Sequence, residues 1–185
     1  MSIKEQVLTE LMETKFPKCK SRSNVSDGDN YSFVLGEVNY RGQKSLGGAT
    51  KGPSRHNEKH KQLFKLAKKL IKTYKPDFKY TTIQINKNLP CKPHVDKNNV
   101  GPSYIIALGD FTGGELCLEG KEFNIKNRFK KFDGTKGHWT KPFKGERYSL
   151  IYFTHTFKPP NPKLRGIEVR KNGLYMNGEL VKKYK

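Results

Sequence analysis

Beyond Pro76 the chain is a succession of short runs rich in β-branched and aromatic residues, at 80–86, 103–108, 114–118, 121–125, 127–132 and 147–155. Gly, Pro, Asn and Asp punctuate them. Runs of this length joined by turns predict antiparallel strands closing into a sandwich or barrel, and they exclude a succession of βαβ units. The last stretch, 166–181, reads as a hairpin with its turn at Asn172-Gly173 or Asn177-Gly178.

The first 78 residues have a different texture. Ser2 and Glu5 form a capping-box pattern, and Ile3, Val7, Leu8, Leu11 and Met12 recur at helical spacing until Pro17 closes the segment. Residues 18–30 are polar and predict a loop. Residues 31–40 predict a strand broken at Gly36, and the Gly/Ser/Lys-rich stretch 41–53 predicts a mobile connection. A second helix is expected over 54–75, with Leu63, Leu66, Ala67, Leu70, Ile71 and Tyr74 on its apolar face. No internal repeat is present. The expected fold class is α+β: one domain over 1–185, with helical N-terminal support (1–78), a core barrel (79–157) and a C-terminal hairpin (158–185).

Composition bounds the function. Hydrophobic residues are only 34% of the 185, yet 11 Phe and 9 Tyr suffice for one core, so the chain is not a disordered polycation. It has no run of about 18 apolar residues, which excludes a membrane-spanning helix. The first residues lack the apolar region of a secretory signal. Cys19, Cys91 and Cys117 are widely spaced with no CxxC pair, so a reducing, cytoplasmic or nuclear setting is expected, and a monomer. The 37 Lys and Arg against 17 Asp and Glu leave a charge of +20. Such a field draws polyanions, although exposed lysines also serve as surface filler. Ten of the basic residues fall within 51–79, against Glu58 and Asp77.

The chemistry resides in a few residues. His94 and Asp96 stand two apart, a spacing that aims both side chains to one face of an extended segment. An imidazole and a carboxylate there are two of the three ligands of a facial triad, the usual seat of non-haem Fe(II). His138 follows 44 residues later, then Arg147 nine further on, and Ser149 two after that, on the same strand face. A guanidinium beside a hydroxyl is a receptor for a carboxylate. Between them lies a Gly113-Gly114 turn followed by Leu116. Taken singly, each of these could be an ordinary turn or surface residue. Zinc is a rival metal, with Cys91 the thiol nearest the His94 motif.

Together, in order and at this spacing, these motifs resemble those of the Fe(II)/2-oxoglutarate-dependent dioxygenase superfamily. The resemblance covers about 82–154. It implies a double-stranded β-helix core of the jelly-roll or cupin type. It implies Fe(II) held by His94, Asp96 and His138, and 2-oxoglutarate held by Arg147 and Ser149. Should changes at Arg147 leave cosubstrate affinity unaltered, Arg41 or Arg55 is the basic residue expected in its place. It also implies a C–H hydroxylation coupled to decarboxylation of 2-oxoglutarate, which ascorbate could stimulate. Two branches fit. His94-x-Asp96-x-x-Asn99 is similar to the TET/J-binding-protein branch, which oxidises the methyl group of 5-methylcytosine or thymine in DNA; there Asn99 would contact the substrate base. The short interval from His138 to Arg147 is similar to the prolyl-hydroxylase-like branch, which acts on a protein or peptide. A non-catalytic nucleic-acid-binding barrel is the reading from another class. DNA is the expected partner.

Overall fold

The computed structural model describes residues 1–20, 22, 24–41, 49–155 and 166–185. Helix α1 (Ile3–Glu13) starts at the expected capping box, with Ser2 and Glu5 exchanging side-chain and backbone hydrogen bonds, and it buries Ile3, Val7 and Leu11. The single helix expected over 54–75 is two: α2 (His56–Lys59) and α3 (Lys61–Tyr74). They part at His60, whose φ of −121° and ψ of 42° are not helical, and whose ring stacks on Phe33 at 4.4 Å.

The segment 1–78 is more than helical support, because it adds β1 (Lys18–Cys19), β2 (Asn30–Arg41) and β3 (Ala49–Pro53). The strand expected to break at Gly36 runs on through it with φ +90°. Residues 49–53 of the stretch expected to be mobile pair with β2, and 42–48 lie outside the described residues. The core follows as β4 (Thr82–Lys87), β5 (Ser103–Leu108), β6 (Phe111–Gly113), β7 (Leu116–Leu118), β8 (Lys121–Phe123), β9 (Lys130–Phe132), β10 (His138–Thr140), β11 (Phe143–Gly145) and β12 (Tyr148–Phe153). The expected C-terminal hairpin is a three-stranded meander, β13 (Ile167–Arg170), β14 (Gly173–Met176) and β15 (Glu179–Lys183), which uses both candidate turns; residues 158–165 of that expectation lie outside the described residues.

The main sheet has the order β1-β2-β4-β12-β5-β9, with β3 on β2. Two short antiparallel assemblies, β10-β7-β8 and β11-β6, face it. Period-two alternation sorts the residues of the main sheet. Ile83 and Ile85 of β4, and Leu150 and Tyr152 of β12, point outward into a core with Leu11, Leu63 and Leu70 of the helices. Between them, Gln84, Asn86, Ser149, Ile151 and Phe153 point to the opposite face, where they line a cavity. Both faces are therefore covered, and β4 is buried at five of its six positions. Among the described residues no helix is long and apolar enough to cross a membrane.

Candidate metal centre and anion pocket

One isolated β-bridge assembles the metal-ligand candidates. His94 N–H donates to the His138 carbonyl and His138 N–H to the His94 carbonyl, each at 3.0 Å, while Asp96 N–H donates to Gly134 O at 2.7 Å. The segment through His94 and Asp96 thus runs antiparallel to the chain entering β10. The two imidazoles lie 4.2 Å apart between ring centroids. Each is fixed in the same way: His94 Nδ1 lies 2.7 Å from Lys92 O, and His138 Nδ1 lies 2.8 Å from Lys136 O. A carbonyl only accepts, so Nδ1 carries the proton and Nε2 offers a lone pair. The two Nε2 atoms face Asp96, at 3.7 Å from Oδ1 and 3.6 Å from Oδ2. One ligand atom from each of the three residues lies within 4.8 Å of the others. Burial, and then His138, push the His94 imidazole down to about 4, so it is neutral near pH 7.

The three residues line a cavity of about 590 Å³, walled by Ile105, Leu116, Phe132, Trp139, Ile151 and Phe153. Asn99 and Ser149 line it too, as expected of them. Asn99 Nδ2 donates to Asp96 Oδ2 at 3.1 Å, so it orients the carboxylate. A Cβ on Gly134 would lie 2.9 Å from Asp96 Oδ2, so this glycine leaves the carboxylate its place.

Arg147 stands apart from the cavity lining. It is 2% exposed, its Nη2 donates to Gly114 O at 3.2 Å, and its guanidinium lies 5.5 Å and 5.3 Å from the ring centroids of Phe111 and Phe143. The side chain passes so close to Gly114 that a Cβ there would sit 2.8 Å from Nε, while at Gly113 a Cβ would lie 2.5 Å from Pro142 O; these are the structural reasons for the two glycines. Burial lowers the guanidinium to about 10, and Nε has no hydrogen-bond partner. Cys91 also lines the cavity, and burial pushes its thiol up. A buried cation with an orphaned donor and no carboxylate pair among the described residues is the environment of an anion receptor.

The structure also brings in residues that the sequence patterns do not mark. Arg22, in the polar 18–30 segment, lines the cavity and donates to Asn86 Oδ1 at 2.8 Å. His155, a plain strand-end histidine by its sequence, is bridged to Asn99 and lines the same cavity, its ring edge-on to Phe153 at 4.8 Å. Arg55 is not among the lining residues, and the Arg41 side chain lies outside what is described.

The architecture is the double-stranded β-helix. A solved structure of NgTET1 in complex with 5mC DNA shares this fold at a TM-score of 0.50 and 18% identity, over 70% of this chain and 62% of that one. This chain therefore spans less than two thirds of that protein's length. An oxidoreductase of the 2OG-Fe(II) oxygenase family from Burkholderia pseudomallei aligns at 19% identity and a TM-score of 0.44, over 75% of this chain and 71% of that one. No family model and no curated protein matches the chain.

Proposed function

We propose that this chain is an Fe(II)- and 2-oxoglutarate-dependent dioxygenase that hydroxylates a C–H bond, and that its substrate is the methyl group of 5-methylcytosine or thymine in DNA. The carrying observation is the buried His94–Asp96–His138 cluster, whose donor atoms converge in a cavity that Ser149 also lines, two residues along the chain from the buried Arg147. Two imidazoles that present Nε2 and one carboxylate suit Fe(II), whereas a structural zinc site would call for a fourth protein ligand. When bound, iron supplies the activation of dioxygen by which 2-oxoglutarate becomes succinate and carbon dioxide, and one oxygen atom enters the substrate C–H bond.

The chain's own residues do the rest. His94 and His138 present Nε2 because backbone carbonyls hold their Nδ1 protons, and Asn99 fixes Asp96. Ser149 and Arg147 provide the receptor for a cosubstrate carboxylate. The apolar wall keeps water from the reacting centre.

Three observations support a DNA substrate: the charge of +20, the grouping at the cavity of Asn99, bridged to His155, with Phe153, whose ring meets that of His155, and the shared fold with a protein solved on 5mC DNA. Two polar side chains and an aromatic edge can read a base that has left the duplex. The second reading, a protein or peptide hydroxylase, rests on the nine-residue interval between His138 and Arg147, which leaves room only for β10, β11 and their turn. Incubation with Fe(II), 2-oxoglutarate and either methylated duplex DNA or a proline-rich peptide panel distinguishes the two. Succinate and a product heavier by one oxygen are expected from the DNA. Oxygen gained by peptide alone would move the assignment to the second reading, and DNA binding without any succinate would leave a non-catalytic barrel.

A further inference from the structure

The polar end of the cavity is built from three elements. Ser149 and Asn86 are cross-strand partners on β12 and β4, and Asn86 Nδ2 donates to Ser149 Oγ at 3.0 Å. That leaves the Ser149 hydroxyl hydrogen free to point into the cavity. Asn86 Oδ1 accepts from Gln84 Nε2 at 3.1 Å and from Arg22 Nη1 at 2.8 Å. One of five guanidinium donors is thus used on Asn86, and the fork geometry leaves others for an anion.

Arg22 is also held from behind. Its carbonyl accepts from the N–H groups of Val25 (3.0 Å) and Ser26 (3.1 Å), closing a turn. Lys92 N–H donates to Val25 O at 2.9 Å, and the Lys92 ammonium pairs with Asp27. The turn is therefore pinned to the chain two residues before His94. Arg22 and Lys97 are the Lys or Arg side chains that line the cavity among the described residues, and Arg22 alone adjoins Ser149 through Asn86.

We infer that Arg22 is a second guanidinium of the cosubstrate pocket, supplying from the N-terminal segment a charge-assisted contact to the carboxylate that Ser149 reaches, in addition to the buried Arg147. The inference rests on the proposed 2-oxoglutarate dependence. It adds a residue outside the barrel strands to cosubstrate recognition, so that Arg22 and its neighbours Asn24 and Val25 join the site.

The test is anaerobic calorimetry of Mn(II)-loaded protein with 2-oxoglutarate and with 2-oxobutyrate, which keeps the keto acid but lacks the remote carboxylate. Wild type is expected to prefer 2-oxoglutarate. Arg22→Met is expected to weaken 2-oxoglutarate binding at least about tenfold, the loss of one charge-assisted contact. Its affinity for 2-oxobutyrate and for Mn(II) is expected to match wild type. Arg22→Lys, which keeps charge and stem, is expected to fall in between and carries the same test if the methionine variant misfolds. Wild-type affinity and preference in a folded Arg22 variant would overturn the inference alone. Absence of 2-oxoglutarate binding to wild type would overturn the proposed function, and the inference with it.

Discussion

The orientation of His94 and His138 is set by carbonyl groups two residues upstream, and that of Asp96 by Asn99, so the centre is held by hydrogen bonds that a ligand count alone would miss. Asp96→Ala is expected to abolish Mn(II) binding and turnover while the melting curve stays cooperative. Asn99→Ala leaves all three ligands in place yet frees the carboxylate, and an outer-shell loss of this kind weakens metal affinity by about 10- to 100-fold. Mn(II) titration checks both, and unchanged affinity in Asn99→Ala would confine that residue to the substrate side. Arg147 carries a different expectation. Truncating one side of a buried charge pair costs about 2–5 kcal/mol, so Arg147→Ala should raise the 2-oxoglutarate requirement by about 30-fold or more. Arg147→Lys keeps the charge but loses the fork, and should fall between the two. A cosubstrate titration of the three proteins orders them.

Among the elements, the C-terminal meander braces the segment that carries His138. Tyr184 stacks on Trp139 at 6.0 Å, and a Cβ on Gly137 would lie 1.9 Å from the Tyr184 hydroxyl oxygen, while Ile167 and Val169 complete the cavity wall. Tyr184→Ala should cost roughly 2–4 kcal/mol, as for other buried aromatic truncations. It should weaken Mn(II) binding as well, because β10 loses its support; denaturant unfolding and metal titration are the two readouts. At the other end, His56 and His60 pack against Phe33, and both are held below the ordinary 6.5 by burial first, then by Arg55 and Lys59 for His56 and by His56 and Lys59 for His60. The unfolded chain then binds protons more readily than the folded one. Their stabilising effect is full above about 6.5 and is lost as pH falls. The melting temperature should drop from pH 7 to pH 5, and less steeply in His60→Gln. The longer elements were legible in the sequence: α1, α3, β4, β5 and β12 carry enough periods to declare themselves. The three-residue strands β6 (FTG), β10 (HWT) and β11 (FKG) do not, since each mixes one large apolar residue with glycine or polar neighbours, whereas the equally short β7, β8 and β9 fall within longer apolar or aromatic runs. The convergence of His94 and Asp96 was legible because an extended segment makes residues two apart one-sided. Arg22 was not, lying in a polar stretch with no periodicity and meeting Asn86 64 residues on. Arg147 shares the inward face of Ser149, and its guanidinium lies over Gly114.

For the whole molecule, where the charge lies matters as much as its sum. The lysines of α3 look like a DNA-holding stripe in the sequence, but α3 packs on the outer face of the main sheet and the cavity opens on the inner one. Lys65, Lys69 and Lys72 are exposed behind the sheet, whereas Lys97 is exposed at the cavity itself. A flipped base must be held by contacts to phosphates flanking the cavity, so the rear lysines contribute only to the long-range field. With methylated duplex DNA, affinity should fall steeply between about 50 and 200 mM salt, as expected when several phosphate contacts release counterions. Lys97→Gln should weaken binding, lower the slope of log affinity against log salt by about one contact, and slow base oxidation. The triple variant Lys65→Gln, Lys69→Gln, Lys72→Gln removes three times the charge, yet should keep the wild-type oxidation rate at saturating DNA and most of the wild-type slope. The reverse pattern, with the triple variant crippled and Lys97→Gln unaffected, would mean that DNA runs along α3, on the far side of the sheet from His94, Asp96 and His138; the base-oxidation reading could not survive that.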